Sequence, residues 1–136
     1  MTHPLTDLLL ANRQSGTLIS SLPDYVVPRD AAEAYRVQTE TVKALGPVGA
    51  WKVQPVPQSG EPFASPILAN TVFSDGAALK SADFPGLAIE VEVAVTISRE
   101  LPTREGGYAA GEMREAIASV HVALEILASR KQSHET

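Results

Sequence analysis

Glu90 and Glu92 are the residues whose type and spacing point most directly to chemistry. They lie in the stretch Leu87 to Arg99, where Ile89, Val91, Val93, Val95 and Ile97 alternate with Ala88, Glu90, Glu92, Ala94, Thr96 and Ser98. A period of two is the pattern of a β-strand, so both carboxylates fall on one face, about 7 Å apart. Glutamate is a poor strand former, and like charges side by side repel. Two readings follow. One is the wet face of an antiparallel sheet. The other is a site for a hard divalent cation, Mg²⁺ or Mn²⁺, which takes carboxylate oxygens and keeps positions open for a substrate. The small neighbours Ala88 and Ala94 leave room for such a ligand.

The surrounding pattern predicts the elements that must position this strand. Leu5 to Gln14 reads as a short helix closed by Gly16. Asp30 and Glu33 form an Asp-x-x-Glu start for a second helix over Ala31 to Leu45, ended by Gly46-Pro47. Its apolar stripe is read as Ala31, Ala34, Tyr35, Val42 and Leu45, with Gln38 on the same side. Gly49 to Gln54 reads as a strand with Trp51 and Val53 on one face and Lys52 on the other, Trp51 being taken as a core residue. Five residues between Pro55 and Pro66 are Pro or Gly, which predicts a loop. Ile67 to Leu79 is expected to hold one or two short strands around Asp75-Gly76. The last segment supports two readings. Met113, Ile117, Val120, Leu124 and Leu127 fit one helix over Gly111 to Lys131. Val120, Val122, Leu124 and Ile126 also alternate, which fits a helix to about Ser119 followed by a strand.

Composition narrows the function classes. The 136 residues suffice for one domain with a modest core, expected as a helical part over 1–48 and a β-rich part over 49–136. Hydrophobic residues make up 44% and charged residues 20%, the balance of a folded rather than a disordered chain. A net charge of −5, aromatics at only 5% and no basic run argue against nucleic-acid binding. The chain has no cysteine, which excludes disulfides, thiolate metal sites and cysteine nucleophiles. Met1 to Leu10 has neither the basic nor the long apolar region of a signal peptide, and no run is long enough to span a membrane. A cytoplasmic protein without membrane partners is expected.

Four pieces in order resemble one family. They are Ala34-Tyr35-Arg36-Val37-Gln38, Gly49-Ala50-Trp51-Lys52-Val53, Ile89-Glu90-Val91-Glu92, and Leu124-Glu125-Ile126 followed by Ser129-Arg130. The set is similar to the 2-keto-4-pentenoate hydratase and 4-oxalocrotonate decarboxylase family, within the fumarylacetoacetate hydrolase superfamily. The family's chains are about twice as long, so the resemblance is to an N-terminal half. It implies an α+β fold, with N-terminal helices packed on a mixed β-roll of the fumarylacetoacetate hydrolase type, incomplete as it stands. It also implies a helix followed by a strand in the last segment, with Glu125 pointing inward.

Carried over residue by residue, the resemblance implies Mg²⁺ or Mn²⁺ held by Glu90, Glu92 and Glu125. Lys52 falls on the active-site lysine, implied to do acid–base work or hold a substrate carboxylate. Glu61 is the one candidate for the family's acidic loop. The implied substrate is a small 2-hydroxy-dienoate or its 2-oxo tautomer, met late in aromatic catabolism. The implied reaction is hydration by a metal-dependent lyase, or decarboxylation of a 2-oxo-dienedioate by the same enolate chemistry. A reading of another class is a non-catalytic half-domain that associates with a full-length homologue. A complete fold is expected to be a homo-oligomer. The chain departs from the family pattern at Gln54, where Gly is usual, and at Ala128, where Asp is usual. His121 shares the Glu125 face if the strand forms, and is read as a packed or hydrogen-bonded histidine rather than a ligand.

Overall fold

The computed structural model describes residues 1–54 and 62–129. The fold is α+β, with two small antiparallel sheets of two strands each. The chain divides into two compact units, Met1–Lys80 and Ser81–Ala128, with Ser129 grouped with the first.

In the first unit, helix α1 (Pro4–Ser15) begins at His3, whose Nδ1 accepts from the Leu5 N–H at 3.1 Å. It stops at Gly16, which takes the left-handed conformation (φ 69°) that suits a residue without Cβ. Helix α2 (Ala31–Leu45) starts where the Asp-x-x-Glu signal places it, with the Glu33 N–H donating to Asp30 Oδ1 at 2.8 Å. The core is a small cluster of Leu5, Val26 and Val37, with Leu8, Leu9 and Leu22 packed against it. Val26 comes from a single 3₁₀ turn at Asp24–Val26.

Here the structure corrects the expected stripe of α2. Val37 is the buried position of the helix, while Ala31, Ala34 and Tyr35 are exposed. The face toward α1 runs through Val37 and Glu40, whose Oε2 accepts from the His3 N–H at 2.8 Å and the Thr6 hydroxyl at 2.9 Å. The expected stripe is a second face, turned toward the next strand pair. The Ala64 N–H donates to the Tyr35 hydroxyl at 3.2 Å, and Gln38 Nε2 donates to the Ala64 carbonyl at 3.4 Å. Small residues at 31 and 34 let that backbone approach, which a count of apolar positions reads as core.

Strand β1 (Val48–Val53) pairs antiparallel with β2 (Ala64–Leu68). β2 begins inside the segment read as loop. Pro66 is tolerated because β2 has one partner strand, leaving an edge where its missing N–H costs nothing. Trp51, expected in the core, is 60% exposed. It lies with Val53 on one face of a two-stranded sheet, and the half-buried Ala50 and Lys52 occupy the other. The register shifts between Val48 and Ala50, and there a Cβ on Gly49 would stand 2.6 Å from Ala69 Cα. Beyond β2 the segment runs through a 3₁₀ turn at Ala69–Thr71 and a turn at Asp75–Gly76, not the strands expected around that dipeptide.

In the second unit, strand β3 (Ala88–Ile97) and strand β4 (Ile117–Leu127) form an antiparallel ribbon, joined through a short helix α3 (Ala110–Glu115). The ambiguous last segment is thus a helix followed by a strand, with the change at Ala116, three residues earlier than Ser119. Ala116 is fully buried, and its carbonyl accepts from the Ser98 N–H at 2.8 Å and the Ser98 hydroxyl at 3.0 Å. That clamp ties the end of β3 to the start of β4. In the connection, Arg104 pairs with Glu112 and lies 4.0 Å over the Tyr108 ring.

Candidate metal centre

The ribbon register decides which side chains meet. Glu90 stands opposite Glu125, Glu92 opposite Ala123, Ala94 opposite His121 and Thr96 opposite Ser119. Directly opposed residues share a face. One face is therefore a short polar strip with a carboxylate trio at one end and a histidine–hydroxyl group at the other. The opposite face carries Val91 against Leu124, Val93 against Val122 and Val95 against Val120.

Glu90, Glu92 and Glu125 each present one carboxylate oxygen, and the three atoms lie within 4.8 Å of one another. Glu90 is exposed, and Glu92 and Glu125 are half-buried. Ala123 opposite Glu92, and Ala94 beyond it, are small and half-buried. On this face the pair Ala88–Leu127 adjoins the trio on one side and the pair Ala94–His121 on the other. Three hard oxygen donors grouped this way suit an oxygen-seeking divalent cation and do not suit a soft metal. Among oxygen-bound cations, adjacent ligand atoms around Mg²⁺ or Mn²⁺ sit about 3 Å apart.

At the other end of the strip, His121 Nε2 lies 2.7 Å from Ser119 Oγ and 3.2 Å from Thr96 Oγ1. The hydrogen-bonded histidine expected from the sequence is present, although exposed rather than packed. The two hydroxyls that fix its ring were not singled out from the sequence. The signal for them is the same period of two that placed the glutamates.

Lys52 stands on β1 opposite Ser65, half-buried, within the first unit. Glu61 and Arg130 lie outside the described residues. Charge interactions also order α2, with an ion pair at its start. Arg29 donates to Glu33 through Nε at 3.1 Å and through its backbone N–H at 2.8 Å. These bonds lower the Glu33 pKa from 4.5 to about 2. Glu40 is lowered by the His3 N–H first and the Thr6 hydroxyl second. Both carboxylates thereby act as buttresses between helices, with Arg29 and Arg36 held by them in an open cleft beside Asp24 and Tyr25.

No family model matches the chain, and no curated protein or solved structure matches it significantly. Among the described residues, no helix is long and apolar enough to cross a membrane.

Proposed function

We propose that the chain carries the metal-binding part of a metal-dependent lyase that acts on a small 2-oxo or 2-hydroxy acid, of the 2-keto-4-pentenoate hydratase kind. The observation that carries this reading is the convergence of the Glu90, Glu92 and Glu125 carboxylates within 4.8 Å on one face of the β3–β4 ribbon. The resemblance points to the same three residues, two on β3 and one on β4. It also underlies the proposal of a β-roll of the fumarylacetoacetate hydrolase type.

Glu90, Glu92 and Glu125 would hold Mg²⁺ or Mn²⁺. When bound, such a cation supplies Lewis-acid stabilisation of negative charge on an oxygen of the substrate. The residues of the chain do the rest. The trio would hold the cation on the two strands β3 and β4, with Glu90 and Glu125 directly opposed. Ala123, opposite Glu92, and Ala94 are the small side chains beside the trio on that face. The resemblance alone assigns Lys52 the holding of a substrate carboxylate or the movement of a proton at Nζ.

The test is an assay of 2-hydroxypenta-2,4-dienoate consumption with added Mg²⁺ or Mn²⁺, for the wild type, Glu92→Gln and Lys52→Met. The proposal expects a 4-hydroxy-2-oxo acid product that needs the cation and falls at least 100-fold in both variants. Release of CO₂ from a 2-oxo-dienedioate, without hydration, would assign the decarboxylase reaction instead. A folded, cation-binding chain inactive on both substrates would support the non-catalytic reading.

A further inference from the structure

One step along the polar face of the β3–β4 ribbon from the trio stands a histidine with no part in holding the cation. Glu92 is opposite Ala123, and the next pair on that face is Ala94 with His121. One step is two residues, about 7 Å. Glu92 and His121 are thus diagonal neighbours across the strand pair, about 7–8 Å apart at their backbones. On this face, from Ala88 to Thr96 and from Ser119 to Leu127, His121 is the one residue with a basic nitrogen in its side chain.

The ring is anchored at one nitrogen. Nε2 lies 2.7 Å from Ser119 Oγ on its own strand and 3.2 Å from Thr96 Oγ1 on the partner strand, and Nδ1 has no hydrogen-bond partner among the described residues. A hydroxyl both donates and accepts. When Nε2 is bare it accepts from a hydroxyl, and when it carries a proton it donates to one. The anchor therefore survives every protonation state of the ring, the imidazolium included, and leaves Nδ1 to gain and lose a proton. The same arrangement does not suit Ser119 as a nucleophile. The group that orients the base of a nucleophile holds its other nitrogen, whereas Thr96 shares Nε2 with Ser119.

We propose, resting on the hydratase reading, that His121 is the proton-transfer residue of the hydration and that Ser119 and Thr96 are its positioning residues. A five-carbon acid held by its carboxylate end at the trio and lying along the strip is comparable in length to one step, so its C3 and C4 fall beside His121. Water adds to C4 of the 2-oxo-3-enoate tautomer. The C4–O bond forms, the C3=C4 pair moves to C2=C3, and the C2=O pair moves onto oxygen to give the enolate. The proton lost by water goes to Nδ1. It passes from there to C3 as C2=O re-forms, so the ring ends neutral and water is the one reactant added.

The test uses the full chain with Mn²⁺ and 2-hydroxypenta-2,4-dienoate. His121→Ala is expected to lower kcat by about 100-fold or more and to recover part of it in proportion to added imidazole. It is expected to keep the wild-type rise in melting temperature with Mn²⁺. Ser119→Ala is expected to lower kcat with KM unchanged, and Ser119→Thr to restore it. Should His121→Ala fail to melt cooperatively, His121→Gln, read by kcat against KM and by the Mn²⁺ response, carries the same comparison. An active wild type with His121→Ala equally active overturns the inference and leaves the hydratase reading standing. Loss of the Mn²⁺ response on replacing His121, or a loss of activity in His121→Ala that imidazole does not relieve, overturns it too, because the ring then serves the cation site or the fold. A wild type that responds to Mn²⁺ and hydrates nothing overturns the hydratase reading and the inference with it.

Discussion

Glu90 and Glu125 are direct cross-strand partners on one face of the β3–β4 ribbon, so two carboxylates oppose each other across an antiparallel pair. Directly opposed like charges destabilise a strand pair by a few tenths of a kcal/mol, up to about 1 kcal/mol. A bound divalent cation converts that repulsion into shared ligation. Glu125→Gln in metal-free buffer should therefore raise the melting temperature slightly, by about 1–4 °C, and the same substitution should remove stabilisation by Mn²⁺. Differential scanning calorimetry with and without chelator measures both. A lower melting temperature for Glu125→Gln in chelator would mean that the carboxylate serves a structural contact rather than a cation.

Acid sensitivity should arise in the first unit, alongside Glu112 in the second, whose pKa is lowered by the bond from Arg104. Glu33 has a pKa of about 2 in the folded state against 4.5 when free. A carboxylate depressed on folding stabilises the fold while it is ionised. Its contribution is complete above pH 4.5 and is lost as the pH falls from 4.5 toward 2. Glu40, also lowered, acts with the same sign. Urea midpoints followed from pH 6 to pH 3 should fall, and Glu33→Gln should flatten the fall. Because the Arg29 side chain is 85% exposed, added salt should reduce the Glu33 contribution.

Removing two methyls from the core of the first unit should cost more than any surface change there. Val37 is 5% exposed and packs with Leu5 and Val26. Val37→Ala should destabilise by about 2 kcal/mol. Ala34→Ser, on the exposed second face of α2, should change stability by about 0.5 kcal/mol or less. Chemical denaturation of the two variants compares them directly. Equal effects would place the core elsewhere.

Gly49 is held by sterics rather than by its backbone angles. A Cβ there would meet Ala69 Cα at 2.6 Å. Gly49→Ala must push the 3₁₀ turn after β2 away from β1, at about 1–3 kcal/mol. The amide exchange of Ala69, whose N–H donates to the Pro47 carbonyl at 2.8 Å, should accelerate in this variant. Unchanged exchange would show that the turn yields freely.

The elements legible in the sequence were those with one strong local signal. The Asp30–Glu33 cap and Gly46 bounded α2, and the unbroken alternation of Leu87 to Arg99 marked β3. The change from α3 to β4 was open because Val120 and Leu124 satisfy both periods. The pairing with β3, a non-local interaction, selects the strand. The core position of α2 lacks a local signal for a related reason. Val37 is buried by α1, thirty residues earlier in the chain, and no local pattern reports that contact. Within the candidate site, Glu90 and Glu92 followed from periodicity alone. Glu125 needed the family resemblance, because its partner across the ribbon is set by register.

The central claim is that the Glu90–Glu92–Glu125 trio binds a divalent cation, and its most direct test is a thermal melt with and without 1 mM Mn²⁺ or Mg²⁺. A cation that binds only the folded chain raises stability by mass action, about 2.7 kcal/mol at a hundredfold excess over Kd. The account predicts a rise of several degrees for the wild type and none for Glu92→Gln. A cooperative wild-type melt that neither ion shifts would contradict it and leave the three glutamates as a solvated face.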